Sequence, residues 1–470
     1  MFEHFRFPRP RLPRLSLALC FCLCVAACGG GGSANGTSST STDGTATTPT
    51  PVGSATTTLG LSLAHQGLSA STLGVIVADG DALSEAVATY YQAARGIPAA
   101  NIVRVKVDTS AAAISASDFA TLKASIDAQM PTSVQATLVT WAAPTRVVGT
   151  CSMSITSALA FGYDSKYCGS GCVATATSAY FDSESQSPWS DLKMRPSMLL
   201  GATTLAAAKT LIDRGVAADA SYPTGDGYLI RTTDTARNIR YTDFAGLPAA
   251  WASRLTLSYI ESSAQSSTET ISGKTGVLFY FTGLATVPNI ASNSYRPGAV
   301  ADHLTSFGGM IPSAGQTTVL DWLNAGVTAS YGTVEEPCNY SAKFPQASTL
   351  IGQYYRGATV LEAYWKSVQW PGQGLFVGEP LAQPFTDKPS IALQGTQYVI
   401  TTRALRPNSS YALEYRVGSS GSWTILANFS TGATPPTSLN APLPPATATQ
   451  LRWLGPCATN AQLQCTLSSS

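Results

Sequence analysis

Charge is scarce in this chain. Asp, Glu, Lys and Arg make up 12% of its 470 residues, about half the share usual in globular proteins. The 28 basic and 27 acidic side chains leave a net charge of +1, without the basic excess of a nucleic-acid binder. Histidine is scarcer still, with three in all, His4, His65 and His303. There is no GxSxG elbow, no GxxxxGK[ST] phosphate loop and no HExxH helix. These absences argue against common hydrolases, nucleotide enzymes and zinc proteases. No apolar run reaches the roughly 20 residues that a membrane-spanning helix needs. Residues 460–470 lack the apolar span and basic end of a C-terminal sorting tail.

What is present describes a folded, exported protein. Hydrophobic residues are 44% of the chain, too many for a disordered one. The length suggests about two or three domains. Arg6, Arg9, Arg11 and Arg14 precede an apolar run from Leu15 to Ala27, as in a secretory signal peptide. The run ends Val25-Ala26-Ala27-Cys28-Gly29. This resembles a bacterial lipobox, with residues 1–27 removed and Cys28 lipidated. Gly29 is not the Asp that would retain a lipoprotein at the inner membrane, so the expected place is the outer membrane of a Gram-negative cell. The acyl chains would then hold the protein to the membrane. The mature chain would carry 24 basic and 26 acidic residues. Residues 29–58 hold ten Thr, seven Gly and five Ser. Such a stretch cannot bury enough surface to fold, and residues 28–58 are expected to be a flexible tether.

Of ten cysteines, Cys20, Cys22 and Cys24 leave with the signal peptide and Cys28 is lipidated. Cys151, Cys168, Cys172, Cys338, Cys457 and Cys465 remain. An even remainder in an exported chain implies three disulfides, with fifteen possible connectivities. Proximity favours Cys457–Cys465 and Cys168–Cys172, which leaves Cys151–Cys338. A zinc site at Cys168 and Cys172 is the competing reading. The mature chain offers it only His65 and His303.

The body alternates strand and helix. Leu73–Ala78 is an apolar, β-branched run, residues 82–95 have helical spacing, and Gly96 and Pro98 stop the helix. Ile102–Val107 is the next strand. Residues 117–129 and Thr204–Arg214 read as helices, and Thr137–Trp141 and Tyr228–Thr232 as strands. Val277–Phe281 reads as a central strand, Thr317–Asn324 as a helix, Val327–Tyr331 as a strand and Val360–Val368 as a helix. The fold class is therefore α/β, a mostly parallel sheet between helical layers, over residues 59–385. Residues 150–195, rich in Cys, Gly and Ser, interrupt it as a disulfide-stapled insertion. From 386 to 470 the runs become short and alternating, as in a small β-sandwich. Leu405-Arg406-Pro407-Asn408-Ser409-Ser410-Tyr411 is similar to the tyrosine corner of fibronectin type III domains.

Several stretches resemble one family. They are GVIVADGDALSEAVATYYQAARGIPAANI at 74–102, RPSMLL at 195–200, YRPGAVADHLTSFGG at 295–309, WLNAGVTASYGTVEEPCNY at 322–340, FP at 344–345 and GLFVGEPLAQPF at 374–385. The family is a bacterial exported one, related to gingipain-type, caspase-like peptidases and found with exosortase-type sorting systems. The resemblance implies an open α/β/α sandwich but brings no known activity. Caspase-like peptidases place a His after one central strand and a nucleophilic Cys after the next. Here those positions hold Thr282 and, nearest to the second, Ser306, with His303 and Asp302 just before it. Neither role of the dyad is filled.

Other charged residues follow the expected strands: Asp79 and Asp81, Arg146, Asp234, and Glu335 with Glu336. If their strands are adjacent they line one crevice at the C-terminal edge, where open sheets bind ligands. Oxygen ligands of this kind suit Ca²⁺; the plainer reading makes them helix caps and loop braces. The function these observations suggest is a lipid-anchored binding or scaffolding component of the envelope, with a protein or glycan partner and no nucleic acid. The alternative is a divergent hydrolase or peptidase using Ser306 or an unrecognised site.

Overall fold

A computed structural model describes residues 60–62, 67–169, 171–311 and 315–457. The signal peptide, Cys28, the whole of the tether, and Cys465 lie outside the described residues. Among the described residues no helix is long and apolar enough to cross a membrane.

Ten strands make the main sheet: β1 Leu73–Ala78, β2 Ile102–Val105, β3 Ala136–Val139, β4 Ser197–Leu199, β5 Asp226–Arg231, β6 Thr256–Glu261, β7 Val277–Thr282, β8 Tyr295–His303, β9 Ala329–Thr333 and β10 Gly374–Gly378. Their spatial order is β6-β5-β7-β8-β9-β10-β4-β3-β1-β2. The class is α/β, as the alternation of strand and helix implies. Every residue of β1 and β7 is buried, which is why both read as unbroken apolar runs rather than alternating ones. Local signals set the helices. Asp81 caps α1 (Ala82–Arg95), accepting from Ser84 N, and Gly96 ends it at φ 66°. Ser115 caps α2 (Ala116–Gln129) in the same way.

All pairs in this sheet are parallel except β9 with β10. That single antiparallel joint reverses the direction of everything beyond it. The sheet therefore has two parallel halves, β6-β5-β7-β8-β9 and β10-β4-β3-β1-β2, pointing opposite ways. Both halves are wound alike: the first strand of each (β1, β5) lies between its second (β2, β6) and its third (β3, β7). The C-terminal ends of β1–β4 and of β5–β9 lie on opposite edges.

The cysteine pairing differs from proximity. The disulfides are Cys151–Cys168 and Cys172–Cys338, with Cα separations of 5.8 and 5.4 Å. Both separations are ordinary for disulfides. Cys168–Cys172 and Cys151–Cys338 are thus corrected, and neither Cys168 nor Cys172 is free for zinc. The sheet carries Cys338, just after β9, to the insertion, and this tertiary approach outweighs the short separation of 168 and 172. Cys457 is also disulfide-bonded.

The described residues fall in one compact unit. The C-terminal part has a three-stranded antiparallel sheet (Ser390–Gln394, Gln397–Thr401, Ser438–Pro442) and a four-stranded one. The two share a core of Ile400, Leu405, Tyr411, Leu413, Leu451 and Trp453. The Tyr411 hydroxyl accepts the Arg406 backbone N–H at 2.8 Å, so the tyrosine corner is formed. Gly60–Ser62 pairs with Gln450–Arg452 in the four-stranded sheet, and so belongs there rather than at the start of the α/β region. The insertion is braced on both sides: Arg406 of this module pairs with Asp182 and Glu184, and the Arg356 guanidinium of the α/β region binds Glu184 at 2.6 Å. Burial works against the Glu184 carboxylate, yet the arginines beside it hold it down at about 2.

Candidate functional site

The ends of β7 and β8 are where a peptidase of the expected type would place its two reactive groups. The strands are neighbours there, with Thr282 paired to His303. The segment that leaves β5 lies directly over them. Thr232 Oγ1 donates to the Gly283 carbonyl at 2.7 Å, and Asn238 Nδ2 donates to the Thr232 carbonyl at 2.6 Å. A Cβ on residue 283 would collide with the Arg237 carbonyl, so the close backbone approach requires glycine. Below, Arg240 spans the gap. Its Nη1 donates to Asp302 Oδ1 at 2.6 Å and to the Pro345 carbonyl at 3.2 Å, and its Nη2 to the Thr282 carbonyl at 2.8 Å. Both side chains of the pair are buried, at 3% and 0% exposure. Burial pushes the Asp302 carboxyl up, against the pull of Arg240.

Asp302 and His303 are consecutive in a strand and point to opposite faces of the sheet. Asp302 meets Arg240, whereas His303 meets α3 (Val319–Ala325). There Trp322 Nε1 donates to His303 Nδ1 at 3.0 Å. A nitrogen that accepts from an indole N–H carries no proton, so the ring proton sits on Nε2. Burial pushes this imidazole down to about 3, and it stays neutral at physiological pH. Ser306 is half-buried in the next loop. That loop is pinned by Thr333 Oγ1, which donates to the carbonyls of Thr305 and Ser306 at 3.0 and 2.9 Å. Asp302, His303 and Ser306 therefore form no triad. Cys338 is no nucleophile either, because its sulfur is in a disulfide.

The charged residues expected in one crevice are not together. Asp79 pairs with Lys106 at 2.6 Å, and Asp81 is spent on capping α1 and on Thr109 Oγ1, at 2.7 Å each. Both lie on the edge opposite Asp234, Glu335 and Glu336, because of the reversal at β10. Asp234 binds the Arg237 guanidinium at 2.9 Å. Asp234 follows β5 and Glu335 follows β9, three strands apart, which is roughly 14 Å at ~4.8 Å per strand. Glu336 Oε1 accepts the Cys338 N–H at 2.8 Å, and Glu335 Oε1 accepts the Glu336 N–H at 3.4 Å. Only Arg146 reaches the loop that carries these glutamates, donating from Nη1 to the Val334 carbonyl at 3.3 Å and touching Met310 Sδ at 3.4 Å. Among the described residues no three His, Cys, Asp or Glu side chains gather to hold a metal ion, so the calcium reading has no ligand set there.

Sequence reasoning missed Arg240, the residue that closes the edge. It sits in an irregular stretch and its partner is 62 residues away, so no local pattern reveals it. It also missed Lys343. This lysine is fully buried, its ammonium lies 5.2 Å from the Tyr340 ring centroid, and burial pushes it down to about 8. An open groove lies elsewhere, beside the edge strand β2. It measures about 600 Å³ and is lined by Asp79, Arg104, Lys106, Asp108 and Asp118. Comparison with protein-family models, curated proteins and solved structures returned no match.

Proposed function

We propose that the chain is a lipid-anchored component of the bacterial envelope that binds a protein or glycan partner and carries out no peptidase chemistry. One observation carries the reading: the ends of β7 and β8 are closed by residues 232–240, with Arg240 bound to Asp302 and to the Thr282 carbonyl. A hydrolase needs a nucleophile within reach of a base. The one histidine there is committed to Trp322 and held neutral. The paired cysteines fit an oxidising compartment, in keeping with the lipobox at Cys28. The groove beside β2, on the opposite edge from the closed site, has the size of a binding cleft and is the place for the partner.

The test is labelling of the non-reduced full chain with a fluorophosphonate probe, with Ser306→Ala as control. The expected result is no labelling of folded protein. Labelling that Ser306→Ala abolishes would instead establish a divergent serine hydrolase.

A further inference from the structure

A second cavity, of about 350 Å³, lies over β1 and β3, between α2, the helix Ile155–Phe161 and the turn at 189–195. Its volume is within the range of small-molecule sites. The floor is apolar, formed by Ile76, Ile126 and Leu159. Thr137 also lines the cavity, is 3% exposed, and its Oγ1 is buried without a hydrogen-bond partner.

The rim is cationic. Lys123, Lys193 and Arg195 line it against a single acid, Asp127. Arg195 is a built group rather than a loose surface charge. Its side chain is 7% exposed, and its guanidinium lies 3.5 Å from the Trp189 ring centroid. Nε donates to the Val134 carbonyl at 3.0 Å and Nη2 to the Pro131 carbonyl at 3.3 Å. Nη1 is 3.9 Å from Asp127 Oδ1, beyond hydrogen-bond distance. One edge of a rigid, stacked guanidinium thus keeps its donors. Asp127 is engaged by Lys123 and leaves the rim with an excess of two positive charges.

We propose that this cavity binds a small amphipathic carboxylate. Its aliphatic tail lies on Ile76, Ile126 and Leu159, and its carboxylate accepts from Arg195 Nη1 with Lys123 alongside. An apolar floor with a planar, part-satisfied guanidinium at the mouth matches that ligand, because Arg presents paired donors to a carboxylate. The site is independent of the closed edge of the other half-sheet, and stands whether or not the chain is a hydrolase.

Isothermal titration of sodium octanoate into the full chain tests this, with 1-octanol as the uncharged control. The expected result is one saturable site for octanoate and at least about tenfold weaker binding of octanol. Two partly exposed positions should shift affinity in opposite directions. Lys123→Ala should weaken octanoate by about threefold, and Asp127→Asn should tighten it by about threefold, the size of a partly screened charge pair. Absence of saturable octanoate binding by folded protein would overturn the proposal. So would equal binding of octanol, or variants that move affinity the same way.

Discussion

The two halves of the central sheet are wound alike and differ at their switch points. Between β1 and β3 the contacts are small and neutral: Ser84 Oγ and Thr140 Oγ1 lie 2.6 Å apart, and the Ala78 N–H donates to Ser84 Oγ at 2.9 Å. Asp79 and Asp81 lie outside this lock, exposed or spent on a cap. Between β5 and β7 the same place holds Thr232, Gly283, Arg237 and Arg240, and the lock ends in the buried Arg240–Asp302 pair. Polar residues after a strand therefore do not by themselves mark a site. What matters is access. At the edge over β7 and β8 the second half is closed, and Thr282 Oγ1, Asp302 Oδ2 and His303 Nε2 are buried without hydrogen-bond partners, whereas the first keeps open cavities beside β2 and α2.

If the second half is held closed by long-range ties, cutting them should cost most. Replacing Cys172 and Cys338 together by Ala releases a loop of 166 residues, and the chain-entropy relation gives a loss of roughly 5 kcal/mol. The same change at Cys151 and Cys168, a separation of 17, should cost roughly 3 kcal/mol. Denaturant midpoints of the two double variants check the ranking; a smaller effect at 172/338 would break it.

Next in size is Arg240→Met, which leaves Asp302 buried without its counter-charge. A loss of roughly 3–5 kcal/mol is expected. Arg240→Met with Asp302→Leu should recover much of it, because two apolar groups remove both desolvation costs. A single variant as stable as wild type would show that the pair is not buried. In the first half the effects should be small. Asp81→Ala removes a helix cap and should cost about 1 kcal/mol. Asp79→Asn breaks only an exposed ion pair and should leave the unfolding midpoint unchanged.

Much of this architecture is legible in the residues. Leu73–Ala78 and Val277–Phe281 are recognisable as buried strands because both faces are covered. Asp81 and Gly96 bracket their helix, and Leu405 to Tyr411 announces the corner that the Tyr411 hydroxyl closes. The reversal at β10 is not legible. Gly374–Gly378 is five residues long with glycine at each end, and its direction is set by pairing with Ala329–Thr333 rather than by its own sequence. That one pairing separates Asp79 and Asp81 from Glu335 and Glu336. The disulfides were obscured for the same reason, since Cys172 finds its partner through the sheet. At the candidate site, Thr282 and Ser306 stand where the family resemblance would place a dyad, but Arg240 and Trp322, which engage Asp302 and His303, become visible only once the strands are adjacent.

The ionisation of His303 tests most directly the proposal that the edge over β7 and β8 offers no base. NMR of the imidazole ring as a function of pH is tractable because the chain has only three histidines. The expected result is a neutral ring with its proton on Nε2, not taking up a second proton down to about pH 4, in line with a pKa lowered to about 3, and unaffected by Ser306→Ala. Stability should fall in step. Between an unfolded value near 6.5 and the folded value of about 3, the unfolded chain binds the extra proton. This group's contribution is therefore complete above pH 6.5 and is lost as the pH falls, by up to roughly 1.4 kcal/mol per unit. A ring that titrates between about pH 6 and 7.5, with a midpoint that moves in Ser306→Ala, would contradict the account and return the site to catalysis.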